Sequence, residues 1–256
     1  MEILGFLACA LIGISLGLIG AGGSILTMPV LVYLFKVPPI LATSYSLFVV
    51  GTTSLLAAAE KSRRSEVLMA PALTFGLISM VVVMAVRHYL IPALPKSNYN
   101  AISLILFGGL MIAAAYSMIR RSEVTAKTSS ESFFALLPYA VLIGLVTGLL
   151  GAGGGFLLIP VLTQLLGLDM KKAAGTSLAV IALNALAGFT LDLAHVPIHW
   201  SLLLSITFIA VTGSLVGSAL CRKIRSQKLQ VGFGWFVLVL GVGILCAEAT
   251  KIFNSI

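Results

Sequence analysis

The chain has 256 residues, of which 59% are hydrophobic and only 9% are charged, and its mean hydropathy is +1.13. So little charge excludes a soluble globular domain, because too few charged residues are present to cover its surface. The net charge of +8 does not predict a nucleic-acid partner, because Lys and Arg gather in short loops between apolar segments, as membrane topology requires.

Uncharged stretches follow one another along the whole chain, and most reach the roughly 20 residues that a helix needs to cross a bilayer. They are residues 3–35, 37–59, 67–86, 101–119, 134–168, 173–191, 200–221 and 229–247. Alternating, strand-like patterning is absent from the sequence. We therefore predict an all-α polytopic membrane protein with the lipid bilayer as its surroundings.

One phrase occurs twice, as GLIGAGGSILTMPVL at 17–31 and as GLLGAGGGFLLIPVL at 148–162. The copies are 131 positions apart (148 − 17) and agree at 10 of 15 positions. The same offset relates ATSYSL at 42–47 to AAGTSL at 173–178. An internal repeat of about half the chain is typical of transporter folds. We predict a first transmembrane repeat at 1–120, a cytoplasmic linker at 121–132 and a second transmembrane repeat at 133–256.

Each glycine phrase interrupts a segment that is too long for a single crossing. Residues 3–36 would form a helix of about 51 Å at 1.5 Å per residue, whereas the hydrocarbon core is roughly 30 Å thick. The glycines leave pieces of about 17 and about 13 residues, the second being too short to span comfortably. Each segment is therefore either one bent helix or a hairpin of two short helices.

The distribution of basic residues favours the hairpin. If each broken segment returns to its starting side, each half has three full crossings, the halves are inverted, and 12 of the 16 Lys and Arg lie inside. If each segment crosses once, the halves are parallel and the charges divide 9 to 7. We predict inverted repeats, each with a Gly-broken helical hairpin plus three transmembrane helices, and both termini outside.

The interruptions also predict an anion site. Backbone groups freed inside a bilayer each cost several kcal/mol unless protein, water or ligand pairs with them. A helix that resumes at 22–25 or 153–156 presents free N–H groups and its positive pole, and glycine allows oxygens to approach closely. Close packing is the alternative use, since 13/17, 144/148 and 213/217 have GxxxG spacing. We favour binding, because both copies carry a matching proline six residues after the last shared glycine, and we expect the two ends to meet near the midplane.

Hydroxyl and amide side chains beside the interruptions add neutral hydrogen-bond donors, which bind oxyanions without burying a charge. Ser and Thr equally often bond back to their own helix. The predicted substrate-binding residues are Gly20, Gly22, Gly23, Ser24, Thr43, Ser44, Ser46, Gly151, Gly153, Gly154, Gly155, Thr176, Ser177 and Asn184, with Pro29 and Pro160 as helix-break or hinge residues.

Ionisable side chains near the span ends are few: Glu60, Arg87, His88, Asp192, His195 and His199. A proton-coupled carrier uses such groups, but loop solvation accounts for them equally well. No Walker lysine follows the glycines and no HExxH pair is present, so neither a nucleotide nor a metal cofactor is expected. An intramembrane enzyme is disfavoured for the same reason, and the short loops leave little surface for a subunit that recruits other proteins.

The paired G-[LI]-[IL]-G-A-G-G-x-x-L-x-x-P-V-L phrases, each followed by an A-x-x-x-S-L or G-T-S-L stretch, resemble the TauE/SafE family of sulfite and organosulfonate exporters over nearly the whole chain. The resemblance implies a multi-pass secondary transporter in a bacterial cytoplasmic membrane that carries small anions such as sulfite or sulfonates. The sequence leaves open two alternative functions, an anion channel and an importer of another small anion. It also leaves open a homo-oligomeric state. Ser24 stands opposite Gly155, so the two half-sites are not equivalent.

Overall fold

A computed structural model describes residues 2–19, 21–93, 96–119, 133–151, 154–194, 196–220 and 226–253. Every regular element in those ranges is helical, as the composition predicts. Within the same ranges, four helices are long and apolar enough to cross a membrane: Pro39–Ser62, Met69–Ala93, Met170–Asp192 and Trp200–Leu220. The predicted linker at 121–132 lies outside the described residues.

The helices recur at the offset found in the sequence. The first half contains α1 (Glu2–Ile19), a 3₁₀ helix (Ala21–Leu26), α2 (Thr27–Tyr33), α3 (Pro39–Ser62), α4 (Met69–Ala85), a π-helical segment (Val86–Leu90), α5 (Ile91–Ala93) and α6 (Lys96–Ile119). The second contains α7 (Phe133–Leu150), α8 (Gly155–Leu165), α9 (Met170–Asp192), α10 (Trp200–Leu220) and α11 (Ser226–Phe253). Adding 131 to the bounds of α1 gives those of α7, and the first residue of α3 likewise gives that of α9.

Equivalent residues with a left-handed backbone follow the short helices α2 and α8. Lys36 and Gly167, which differ by 131 positions, both have a left-handed backbone, with φ of 55° and 60°. This conformation ends a helix because the following residue can no longer continue the ladder of hydrogen bonds. Pro39 then occupies the first turn of α3, where its missing N–H has no partner to lose.

The chain turns back after each glycine interruption. In the first half, the Phe35 ring lies 5.4 Å from the Phe6 ring and next to Gly5, so the residues after α1 return to its beginning. In the second half, Leu158 and Leu162 of α8 share a buried cluster with Ala140 and Ile143 of α7. The short helices α2 and α8 thus run back along α1 and α7.

Helices of each half pack on helices of the other half through close glycine contacts. A Cβ atom added at Gly13 of α1 would overlap the carbonyl oxygen of Ala210 in α10. At the equivalent positions, a Cβ added at Gly144 of α7 would lie 2.7 Å from the carbonyl oxygen of Ser79 in α4. The glycines with GxxxG spacing therefore serve backbone-to-backbone packing of α1 on α10 and of α7 on α4.

Helices α3 and α9 form the centre of the bundle. In the apolar 18-residue stretch of each of these helices, 67% is buried. The corresponding share is 33% for Met69–Ala93 and 39% for α10. Leu47 of α3 contacts Gly188 of α9, and Gly51, one turn later, contacts Leu186. The start of α3 therefore lies beside the end of α9, and the two equivalent helices run antiparallel.

Gly13→Ala should lower the thermal stability of the detergent-purified protein, because its new methyl group meets the backbone of Ala210. Overpacking of this kind costs about 1–3 kcal/mol. Gly109→Ala is the matched control, since nothing lies within 4 Å of a Cβ at that helical position and alanine is the better helix former. Equal melting temperatures for the two variants would contradict the packing role of Gly13.

Candidate functional site

The second glycine interruption docks on the first turns of α3. Gly151 has a left-handed φ of 66°, and a Cβ placed on it would lie 2.6 Å from the carbonyl oxygen of Thr43. Its own carbonyl oxygen accepts a hydrogen bond from the Ser46 hydroxyl at 2.9 Å. Thr43 and Ser46, both predicted for the site, thus contact the predicted Gly151, although Ser46 and Gly151 are 105 residues apart in the sequence.

The helix that follows this turn begins without a side-chain cap. Gly154 is its N-cap, with φ of 61°, and α8 starts at Gly155, inside the predicted start at 153–156. Both glycines are buried. The buried Thr147 hydroxyl points towards the same turn: its oxygen lies 2.6 Å from the position of a Cβ on Gly154, and it has no hydrogen-bond partner among the described residues. A buried, uncapped helix start and an unpaired hydroxyl therefore lie side by side.

The first interruption differs from the prediction. Gly22, Gly23 and Ser24 lie in the 3₁₀ helix Ala21–Leu26, so α2 begins at Thr27 and not at 22–25. The tighter i→i+3 hydrogen bonds of a 3₁₀ helix pair backbone groups that an open turn leaves free. Thr27 carries a buried hydroxyl for which the described part of the chain offers no partner. Gly20 and Gly153 lie outside the described residues.

The two prolines occupy different positions in their short helices. Pro29 is the third residue of α2, in the first turn, where proline is tolerated. Pro160 is the sixth residue of α8, beyond the first turn. Their role as hinges stays a prediction.

Several predicted hydroxyl and amide groups make structural hydrogen bonds. Thr43 and Ser177 donate to carbonyl oxygens of their own helices, those of Ile40 and Ala174. The Thr176 hydroxyl accepts the N–H of Leu68, just before α4 begins. Asn184 donates to the Ser79 hydroxyl at 2.8 Å and so links α9 to α4. These residues lie at different levels of the bundle and do not form one cluster.

A buried ion pair lies beside the second interruption. Arg87 Nη1 donates to Asp192 Oδ2 at 2.5 Å and lies 3.5 Å from the Ser44 hydroxyl; we call these three residues the arginine cluster. Arg87 is 6% exposed and Asp192 is 7% exposed. The interpretation that loop solvation accounts for the ionisable side chains is therefore wrong for this pair, because both side chains are buried where the π-helical segment meets α3 and α9.

The π-helical segment positions the cluster. Val86 begins this segment and contacts Gly148, near the end of α7, at 2.9 Å from a Cβ placed there. Arg87 is the next residue, and π-helical segments are frequent at functional sites because the extra residue redirects side chains. The segment therefore brings a positive charge next to the helix that carries the glycine turn.

The other ionisable groups near the span ends lie elsewhere. Glu60 pairs with Arg64 and accepts a hydrogen bond from the Ser218 hydroxyl at 2.6 Å, at the opposite end of α3. His88 is exposed and its ring meets that of Tyr89 edge to face. The backbone N–H of His199 donates to the Tyr45 hydroxyl at 2.7 Å. His195 lies outside the described residues.

One sequence signal could have identified the arginine cluster. Arg87 stands alone in the apolar run VVVMAVRHYLIPAL, and an ionisable residue at membrane depth is by default a functional candidate. Its partner Asp192 is 105 residues away, so no local pattern reveals the pair.

Interrupted helices inside a bundle of membrane-crossing helices, with an enclosed ion pair beside one interruption, define a multi-pass membrane transporter. The chain belongs to the family described as "Sulfite exporter TauE/SafE", which matches residues 5–244. The resemblance found in the glycine phrases is thereby confirmed.

Curated relatives carry the same general description. A "Probable membrane transporter protein" of Xylella fastidiosa (strain Temecula1) is 26% identical over 244 residues, covering 92% of this chain and 91% of the relative. A "Probable membrane transporter protein" of Methanocaldococcus jannaschii is 26% identical over 254 residues, with 92% of each chain covered. No solved structure matches the chain significantly.

Gly151→Ala should destabilise the protein more than Gly167→Ala does. Both glycines have a left-handed backbone, which costs a residue with a Cβ roughly 1–2 kcal/mol. Only at Gly151 does the new methyl group also meet the backbone of Thr43, whereas the space around Gly167 is open. Melting temperatures in detergent would measure both effects, and equal losses would show that the contact with α3 contributes nothing.

Proposed function

We propose that the chain is a secondary transporter that exports small sulfur-containing oxyanions, such as sulfite or organosulfonates, across the cytoplasmic membrane. Membership of the TauE/SafE family supports the substrate class. The single observation that carries the anion assignment is the start of α8, which is buried, uncapped and next to the unpaired Thr147 hydroxyl. Free N–H groups at a helix start favour a negatively charged ligand.

The binding residues in this proposal are those that the sequence predicts around both interruptions. At the second, the Ser46 hydroxyl holds the Gly151 carbonyl group and so shapes the turn, and the N–H groups at the start of α8 are the donors to the anion. Neutral donors suit a carrier, because they stabilise an oxyanion without holding it as tightly as an isolated buried cation would. Thr147 and Thr27 join the set, since each carries a buried hydroxyl next to an interruption.

We further propose that the two halves are inverted in the membrane. Equivalent helices α3 and α9 run antiparallel, which two copies related by a twofold axis in the membrane plane require. The return of Phe35 to Gly5 supports the hairpin over a single bent crossing. With the buried Arg87 left out of the count, 12 basic residues lie inside and 3 (4 − 1) outside, which favours the same topology.

Energetics support export without a coupled ion. The inside of a bacterial membrane is negative, so an anion leaves the cell down its electrical gradient at about 2.3 kcal/mol per charge per 100 mV. A uniport mechanism therefore suffices, and a proton partner is not needed.

The test is counterflow of ³⁵S-labelled sulfite in proteoliposomes that contain the purified protein. A carrier exchanges labelled external sulfite for unlabelled internal sulfite, so the label accumulates transiently above its equilibrium level. A channel gives simple equilibration instead. Absence of any flux for sulfite, sulfoacetate and methanesulfonate would reject the proposed substrate class.

Gly22→Val and Gly153→Val should each abolish sulfite counterflow while the protein still inserts and purifies as a single species, because a side chain in either glycine phrase prevents close approach of the anion to the backbone. Gly243→Val is the matched control, since a Cβ at that position meets nothing within 4 Å. If both variants transport at the rate of the control, the glycines are packing residues.

The topology predicts that a cysteine in 191–199 reacts with an impermeant thiol reagent added outside intact cells, whereas one in 222–228 does not. In a background without Cys9, Cys221 and Cys246, Pro197→Cys and Ser226→Cys provide the two positions. Ser62→Cys is a second inside position, exposed at the end of α3. The opposite labelling pattern would refute the inverted arrangement.

A further inference from the structure

The proposed function leaves the ion pair of the arginine cluster, Arg87 with Asp192, unused. The Arg87 side chain is 2% exposed and lies between the start of α3 and the end of α9. Burying a guanidinium group is costly unless its charge is paired and its N–H groups find acceptors. Asp192 supplies the opposite charge but uses only part of the hydrogen-bonding capacity.

The unused donors lie on one edge of the guanidinium. Nη1 donates to Asp192, whereas neither Nε nor Nη2 has a hydrogen-bond partner within the described ranges of the chain. Covalent geometry places Nε–H and one N–H of Nη2 parallel to each other on the same edge of the planar group. That edge fits two oxygens of a carboxylate, phosphate or other oxyanion at once.

The arrangement is not what a purely structural ion pair needs. Asp192 Oδ2 lies 2.5 Å from Nη1, and the Nε–Nη2 edge, which a carboxylate can bind through both oxygens, is left free. A buried N–H without an acceptor loses its hydrogen bonds to water and gains none in return, which is destabilising. Native proteins retain such groups where a ligand supplies the missing acceptor.

We propose that the Nε–Nη2 edge of Arg87 binds two oxygens of the transported anion. This inference rests on the proposed function, because it assumes that the chain carries anions, and it names the charged group that holds them. Asp192 neutralises Arg87 when no anion is bound and fixes the orientation of the guanidinium through Nη1. The ligand class is an anion with two oxygens on one centre, such as a sulfite, a sulfonate or a carboxylate, and not a spherical halide.

The proximity of the glycine turn supports the same assignment. Ser44 of the cluster lies between Thr43 and Ser46, which contact Gly151, and Val86 next to Arg87 contacts Gly148 on α7. An anion at Arg87 therefore lies near the elements that form the second interruption, and the charged and the neutral donors belong to one binding region.

Arg87→Lys is the principal test, because lysine keeps the positive charge beside Asp192 but lacks the two parallel donors. We expect KM for ³⁵S-sulfite uptake into proteoliposomes to rise about tenfold or more. Arg63→Lys, at an exposed arginine after α3, is the matched control and should leave KM unchanged. An unchanged KM in Arg87→Lys would overturn the proposal.

The double variant Arg87→Gln with Asp192→Asn removes both charges and so avoids a lone buried ion. If the pair only stabilises the fold, this variant should transport sulfite with the KM of the wild type, which would overturn the proposal. If Arg87 binds the anion, the variant should elute as a monodisperse species and its KM for sulfite should be at least tenfold higher than that of the wild type.

A measurement on the unmodified protein tests the ligand class without any variant. Methanesulfonate and formate, each with oxygens on one centre, should inhibit ³⁵S-sulfite uptake, whereas chloride and bromide at the same concentration should not. Equal inhibition by halides would overturn the proposal. Failure of the proposed function would look different, since the wild type itself would then show no sulfite flux.

Discussion

A helix that stops inside a bilayer leaves amide groups without partners, and no water is present in the hydrocarbon to receive them. This chain stops two helices in that way, and the rest of the fold compensates for it. At Gly151 the freed carbonyl group accepts the Ser46 hydroxyl, and the backbone turn lies directly against Thr43. At the first interruption a 3₁₀ helix continues the hydrogen bonding through Ala21–Leu26. The start of α8 lacks a side-chain cap, and for that reason it carries the anion site that we propose.

Close packing and turn formation are separate uses of glycine in the same chain. Gly13, Gly17, Gly213 and Gly217 bring the backbones of α1 and α10 together, and Gly144 and Gly148 do the same for α7 and α4. These contacts hold the outer helices to the opposite half of the molecule. The glycines of the repeated phrase that have a left-handed backbone, Gly151 and Gly154, instead shape the turn beside α3. The two roles follow from position: the glycines with GxxxG spacing lie within helices and pack, whereas Gly151 and Gly154 lie between α7 and α8 and redirect the chain.

In the site that we propose, the arginine cluster adds a charged donor to neutral ones. Arg87 and Asp192 together carry no net charge, so the pair can be buried in the empty protein at a lower cost than either ion alone. A carrier must also release what it binds, and a partner carboxylate limits how tightly an arginine holds an anion. The multi-pass transporter class therefore fits the balance of charge as well as the helical architecture.

The sequence alone determined the helical membrane class, the repeat at an offset of 131 and the family, because hydropathy, loop charge and the glycine phrases are local signals. It also indicated a helix start at 153–156, where α8 begins at Gly155. Sequence reasoning could not show that Thr176 and Asn184 make cross-helix bonds, nor that a 3₁₀ helix occupies 21–26. Only the tertiary structure joined Arg87 to Asp192, because side chains 105 residues apart meet only once the two halves have packed against each other.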